Sequence, residues 1–173
     1  KSRGLGDVYK RQVLNHLNVN FEKTNQIVAG ASMGGLMSIK TSILFPQFRN
    51  IISLSPAFWF GYPRVLYDVK NLSNESSTYL YTGKKEGHIF GDHVKNIFPN
   101  HWDLDFSNND DFYYSGVKKI EDSLKSNNKS VIFSFQENGH HNETSWANAI
   151  LEILGKLICC LLYTSPSPRD LSS

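Results

Sequence analysis

Val28-Ala29-Gly30-Ala31-Ser32-Met33-Gly34-Gly35 is an apolar run that ends in Gly-x-Ser-x-Gly-Gly, and a helical pattern follows it at once. It reads as a nucleophile elbow. In that device a strand turns so sharply into a helix that the serine is held strained, with its hydroxyl clear of the backbone. Glycines two residues before and two after the serine, Gly30 and Gly34, are expected because a Cβ at either would collide with the neighbouring strand or helix. A lone Gly-x-Ser-x-Gly is a weak signal. Here a strand before it, a helix after it and Gly139-His140-His141-Asn142-Glu143 much further along raise it above a chance match.

The flanking chain reads as alternating strands and helices. Gln26 to Ala29 is a short buried strand, and Val13 to Phe21 has the near-helical spacing of a helix leading into it. Met33, Leu36, Met37, Ile39, Ile43 and Leu44 mark a helix over Met33 to Phe45, buried on much of its surface and stopped by Pro46. Ile51 to Ser55 is a second strand closed by Pro56. The aromatic run Phe58-Trp59-Phe60 just beyond it either caps the core or walls an acyl or alcohol pocket, which makes Phe58 and Trp59 the candidate substrate-binding side chains.

Residues 70 to 77 form a polar linker, Thr78 to Thr82 is a third strand, and Gly83-Lys84-Lys85-Glu86-Gly87 turns out of it. Phe98 to Asp111 is a surface loop. Its Asp103-x-Asp105-x-Ser107 lacks the glycine and distal glutamate of a calcium loop. Phe112 to Lys125 is an amphipathic helix, Ser130 to Phe135 a fourth strand, and Trp146, Ala149, Ile150, Ile153, Leu154 and Leu157 a closing helix. The expected fold class is α/β: a parallel sheet of about four strands with helices on both faces.

Both ends of the chain stand apart. Asp7-Val8-Tyr9-Lys10-Arg11-Gln12 and Cys160-Leu161-Leu162-Tyr163-Thr164-Ser165 can be encoded by opposite strands of one DNA segment, GATGTGTATAAGAGACA and its reverse complement. The pair resembles a transposon-type sequencing adapter translated at both ends. The expected organisation is thus a domain over 13–159 between two non-native segments, 1–12 and 160–173, with the domain itself the C-terminal half of a larger one.

That division governs the charge reading. The 173 residues carry 18 basic and 16 acidic side chains, but five of the basic and two of the acidic ones lie in the end segments, leaving 13 against 14. A near-neutral domain gives no footprint for nucleic acid or an anionic membrane. No run of eighteen apolar residues is present to span a bilayer. The cysteines are only Cys159 and Cys160, too few for a disulfide framework or a cysteine metal site.

An alcohol is a poor nucleophile at its own pKa, so Ser32 needs a base. Histidine suits, because its neutral form accepts the proton and its conjugate acid can return it to the leaving group. His140 and His141 are both candidates. His16, His88, His93 and His101 read as surface or structural. A carboxylate must hold the imidazole in the right tautomer, and Glu86, just past the third strand, is favoured over Asp92. The chain order serine, acid, histidine is that of the α/β-hydrolase fold. The Met33 N–H, at the start of the elbow helix, is the expected oxyanion donor, worth roughly 3 to 4 kcal/mol of barrier. No metal or organic cofactor is needed, and the expected partner is a small-molecule ester.

Four ordered motifs carry a family resemblance. Gly30-Ala31-Ser32-Met33-Gly34-Gly35-Leu36, Ser53-Leu54-Ser55-Pro56-Ala57-Phe58-Trp59, Tyr81-Thr82-Gly83-Lys84-Lys85-Glu86 and His141-Asn142-Glu143-Thr144-Ser145-Trp146 together resemble an esterase family of the α/β-hydrolase superfamily. It includes enterochelin-esterase-like and related siderophore-ester hydrolases. The resemblance implies a triad of Ser32, Glu86 and His141, with Glu143 and Trp146 as structural neighbours. It also implies further strands ahead of the elbow. Acyltransferases and peptidases use the same elbow and triad; a silent hydrolase-like binding module would have no need to keep all three residues.

Overall fold

The computed structural model describes residues 26–163. The expected helix at Val13 to Phe21 and the segment 1–12 lie outside the described residues. Four strands, β1 Gln26–Ala31, β2 Phe48–Leu54, β3 Ser77–Lys85 and β4 Ser130–His140, form one parallel sheet in the order β1-β2-β3-β4. The helices between and after them are α1 Met33–Leu44, α2 Arg64–Asp68, α3 Val94–Ile97, α4 Asn109–Ser126 and α5 Glu143–Tyr163. The chain is α/β, as its pattern predicts, and the backbone of α5 continues past the expected boundary at residue 159.

Period-two alternation sorts the strand side chains onto two faces. Ile51 and Leu80 point to the side where α1 and α4 pack, burying Leu36, Ile39, Val117, Ile120 and Leu124. Ile52, Leu54, Tyr79 and Tyr81 point the other way, onto Ala149 and Ile153 of α5. Helices therefore cover both faces, which is how a parallel sheet satisfies two apolar surfaces.

Three local expectations need correction. The run Gln26 to Ala29 reads as buried, but β1 is an edge strand among the described residues and Ile27 is 43% exposed, because only β2 pairs with it. On α1 the buried face is Gly35, Leu36, Ser38, Ile39 and Ser42, while Met33 and Leu44 are exposed. Close packing on β1 and β2 leaves room for serines rather than large side chains, and Ser38 Oγ and Ser42 Oγ donate to the Gly35 and Phe48 carbonyls. Finally, α4 begins three residues before Phe112. Asn108 caps it by accepting from the Asp111 N–H at 2.9 Å, and Asp110 and Asp111 fill the first turn, where the helix dipole favours negative charge.

The loop ahead of α4 is anchored by its aromatics. Phe98 stacks on Phe112 with ring centroids 5.0 Å apart, and Phe106 packs on the same ring. The consequence for function is positional. All four strands point the same way, so the residues just past their ends, Ser32, Ser55, Glu86 and His141, line up along one edge of the sheet.

Candidate active site

Ser32 sits between β1 and α1 with φ 55° and ψ −120°, a left-handed conformation that a non-glycine residue rarely adopts. The strain is held by hydrogen bonds from three sides. Its N–H donates to the Leu54 carbonyl at 2.9 Å, and its carbonyl accepts from Ala57 N–H at 2.9 Å and from Leu36 N–H at 3.2 Å. The last of these is the first bond of the helix. The N–H groups of Met33, Gly34 and Gly35 precede it and belong to the turn whose donors have no intrahelical partner. Met33 is the first residue of α1, directly after Ser32.

The close approach of strand and helix decides which glycines matter. A Cβ on Gly30 would stand 2.3 Å from the Gly34 carbonyl oxygen, and one on Gly35 would stand 2.7 Å from that of Leu54. A Cβ on Gly34 would meet nothing within 4 Å. The expectation for Gly30 holds; that for Gly34 does not. The second obligatory glycine is Gly35, because its face of α1 rests on the end of β2.

The structure brings Ser32, His141 and Glu86 into one chain of contacts. Ser32 Oγ lies 3.0 Å from His141 Nε2, and His141 Nδ1 lies 3.0 Å from Glu86 Oε2. Glu86 is fully buried and the His141 side chain is 8% exposed. A carboxylate that loses all its water must be compensated by donors. Oε1 of Glu86 receives two, the Gly83 N–H and the Ser55 hydroxyl, the latter at 2.7 Å.

The neighbours hold the imidazole plane. Tyr113 and Trp146 meet the His141 ring edge-on, at 5.4 and 4.9 Å between centroids. Tyr113 O–H donates to the Ser55 carbonyl at 2.6 Å. Burial, and next the Glu86 charge, push that phenol well above its ordinary range, so it stays a neutral donor.

No protein-family model matches the chain, and no curated protein matches it in sequence.

The rival candidates lie elsewhere. Asp92 is exposed and accepts from His93 N–H and Asn96 Nδ2, away from His141. His140 is exposed; its N–H donates to Ser145 Oγ and its ring faces His88, 6.1 Å between centroids. His93 caps α3 by accepting from Lys95 N–H. Phe58 is fully buried against Phe112, Tyr113 and Trp59, while Trp59 is half-buried among Phe60, Phe90, Phe98 and Tyr113. Phe58 therefore packs the core, and both rings meet Tyr113, which in turn stands edge-on to His141.

A cleft of about 770 Å3 opens beside the acid and histidine loops, lined by Lys85, His88, Asn109, Asp110, His140 and Asn142 among others. Among the described residues no cluster of histidine, cysteine and carboxylate is placed to hold a metal ion. Residues that sequence reasoning did not single out are Ser55 and Tyr113. The signal for Ser55 was a serine at a strand end directly before a proline; Tyr113 carried none beyond its place in an amphipathic pattern.

Proposed function

We propose that the chain is a serine hydrolase of carboxylic esters that works through an acyl-Ser32 intermediate. The observation that carries this is the unbroken Ser32–His141–Glu86 contact chain at 3.0 and 3.0 Å, headed by a serine in a strained backbone conformation. Ser32 Oγ attacks the ester carbonyl carbon as His141 Nε2 takes its proton. The imidazolium that forms keeps its Nδ1–H on Glu86, whose buried carboxylate stabilises the positive charge.

The Met33 N–H faces the developing oxyanion. Collapse of the tetrahedral intermediate breaks the carbon–oxygen bond to the leaving alcohol, which collects the proton from His141 Nε2. Water then attacks the acyl-serine with His141 as base, and the same proton path returns Ser32 to its free form. The resemblance to siderophore-ester hydrolases supports esters of that class, and acyl-sugar and short-chain esters fit the same chemistry.

A fluorophosphonate probe incubated with the purified chain should attach to Ser32, located by peptide mapping, and Ser32→Ala and His141→Ala should abolish the adduct. Absence of labelling, or labelling that survives Ser32→Ala, overturns the proposal.

A further inference from the structure

We propose that Ser55 is a positioning residue for this chemistry, fixing the Glu86 carboxylate so that Oε2 meets His141; the assignment rests on the serine-hydrolase reading. Ser55 is fully buried and, like Ser32, has a positive φ, 43°, in the left-handed region. Such strain persists only where the surroundings over-determine it. All of its polar groups are engaged. Its N–H donates to the Tyr81 carbonyl at 2.7 Å, and its carbonyl accepts from Tyr113 O–H at 2.6 Å. Its Oγ lies 3.0 Å from Trp146 Nε1 and 2.7 Å from Glu86 Oε1.

The direction of those last two bonds is set by donor chemistry. An indole nitrogen can only donate, and an ionised carboxylate can only accept. Trp146 Nε1–H therefore occupies an acceptor position on Ser55 Oγ, and the single hydroxyl proton goes to Glu86. With the Gly83 N–H on the same oxygen, Oε1 is pinned by two donors from two strand ends. The carboxylate plane is then fixed, and Oε2 is presented to His141 Nδ1. Without the hydroxyl, Glu86 keeps the Gly83 N–H on Oε1 and His141 on Oε2 but loses the second donor that fixes its plane.

The test compares wild type with Ser55→Gly, which suits the positive φ and keeps the carbonyl that Tyr113 binds, and with Ser55→Ala, which keeps the Cβ. Three readouts are taken on the full chain: the rate of Ser32 labelling by a fluorophosphonate, the downfield proton signal of His141 Nδ1–H, assigned by its loss in Glu86→Gln, and urea unfolding. One hydrogen bond to a charged group predicts labelling slowed roughly 10- to 100-fold per folded molecule. The Nδ1–H signal should shift or broaden. On the Glu86→Gln background, Ser55→Gly should slow labelling little further, because both changes act through one carboxylate.

A merely structural Ser55 would lower the urea midpoint while leaving the labelling rate of folded protein and the Nδ1–H signal at their wild-type values, and that result in either variant overturns the assignment. Unlabelled wild type defeats the hydrolase reading and this assignment with it. Labelled wild type with unchanged Ser55 variants defeats the positioning role alone.

Discussion

Replacing Gly35 by alanine should uncouple the elbow from β2, and replacing its neighbour Gly34 should not. A Cβ on Gly35 would lie 2.7 Å from the Leu54 carbonyl oxygen and 3.2 Å from Pro56 Cα, both backbone atoms that cannot rotate away. Ordinary contact begins at 3.4 Å, so Leu54 has to withdraw by about 0.7 Å. The same oxygen accepts the Ser32 N–H at 2.9 Å, and that withdrawal stretches the bond toward about 3.6 Å, past hydrogen-bonding range. Overpacking costs roughly 1 to 3 kcal/mol and the lost backbone bond roughly 0.5 to 1.5 kcal/mol.

Together the loss is about 2 to 4 kcal/mol, which at a typical urea slope lowers the unfolding midpoint by roughly 1 to 2 M. Gly34 is exposed and its Cβ would enter open space. Alanine there replaces a poor helix former with the best, a gain of up to about 1 kcal/mol. Urea unfolding of both variants checks the contrast, and Ser32 labelling checks its consequence: Gly35→Ala should lose reactivity that Gly34→Ala retains. Equal midpoints, or a larger loss from Gly34→Ala, would refute the argument that helix α1 meets β2 through Gly35.

Two further outcomes concern the core. Burial, and next the Glu86 charge, raise the Tyr81 phenol to about 12. Below pH 10 its stabilising contribution is whole; as pH rises from 10 to 12 the unfolded chain releases the proton first and stability falls, by on the order of 2 kcal/mol. Tyr81→Phe should flatten that part of an unfolding-free-energy against pH curve, and an unchanged slope would show that Tyr81 is not the group responsible. Gly116 on α4 faces the Phe58 ring, which a Cβ would meet at 2.1 Å. Gly116→Ala should destabilise by roughly 1 to 3 kcal/mol, a drop in Tm on the order of 3 to 10 °C by calorimetry, despite the better helix propensity. An unaltered Tm would mean Phe58 has room to move and is not the locked core residue its burial indicates.

Hydrophobic periodicity made the four strands and the three longer helices legible, because each buries an apolar face at the period its backbone imposes. The tips were not legible. β3 runs on through Lys85 and β4 through His140, with polar side chains that carry no alternation while their backbones still pair. Residue type and chain order put forward Ser32, Glu86 and two adjacent histidines. The choice between His140 and His141 could not come from spacing, since adjacent residues at a strand end leave on opposite sides and only the register decides which one faces Ser32. Ser55 escaped notice for a related reason: its role lies in φ, in Trp146 and in Tyr113, which are 91 and 58 residues away in sequence.

The register of β3 against β4 explains how Glu86 and His141 come to share one place. Gly83 pairs with Gln136 and Lys85 pairs with His140, so Lys84 alone stands opposite Glu137, Asn138 and Gly139. An irregularity of this kind bends the strand and re-aims the residues beyond it. It is possible because both strands are stripped of side chains where they cross: a Cβ on Gly83 would stand 2.3 Å from the Gly139 carbonyl oxygen, and one on Gly139 would stand 2.8 Å from Gly83 Cα and 2.6 Å from the Tyr81 hydroxyl. Gly83 also gives its N–H to Glu86, and Gly139 lies two residues before His141. The same pinch therefore sets the carboxylate from one strand and the imidazole from the other, so a side chain on either glycine would separate Glu86 from His141 without touching either of them.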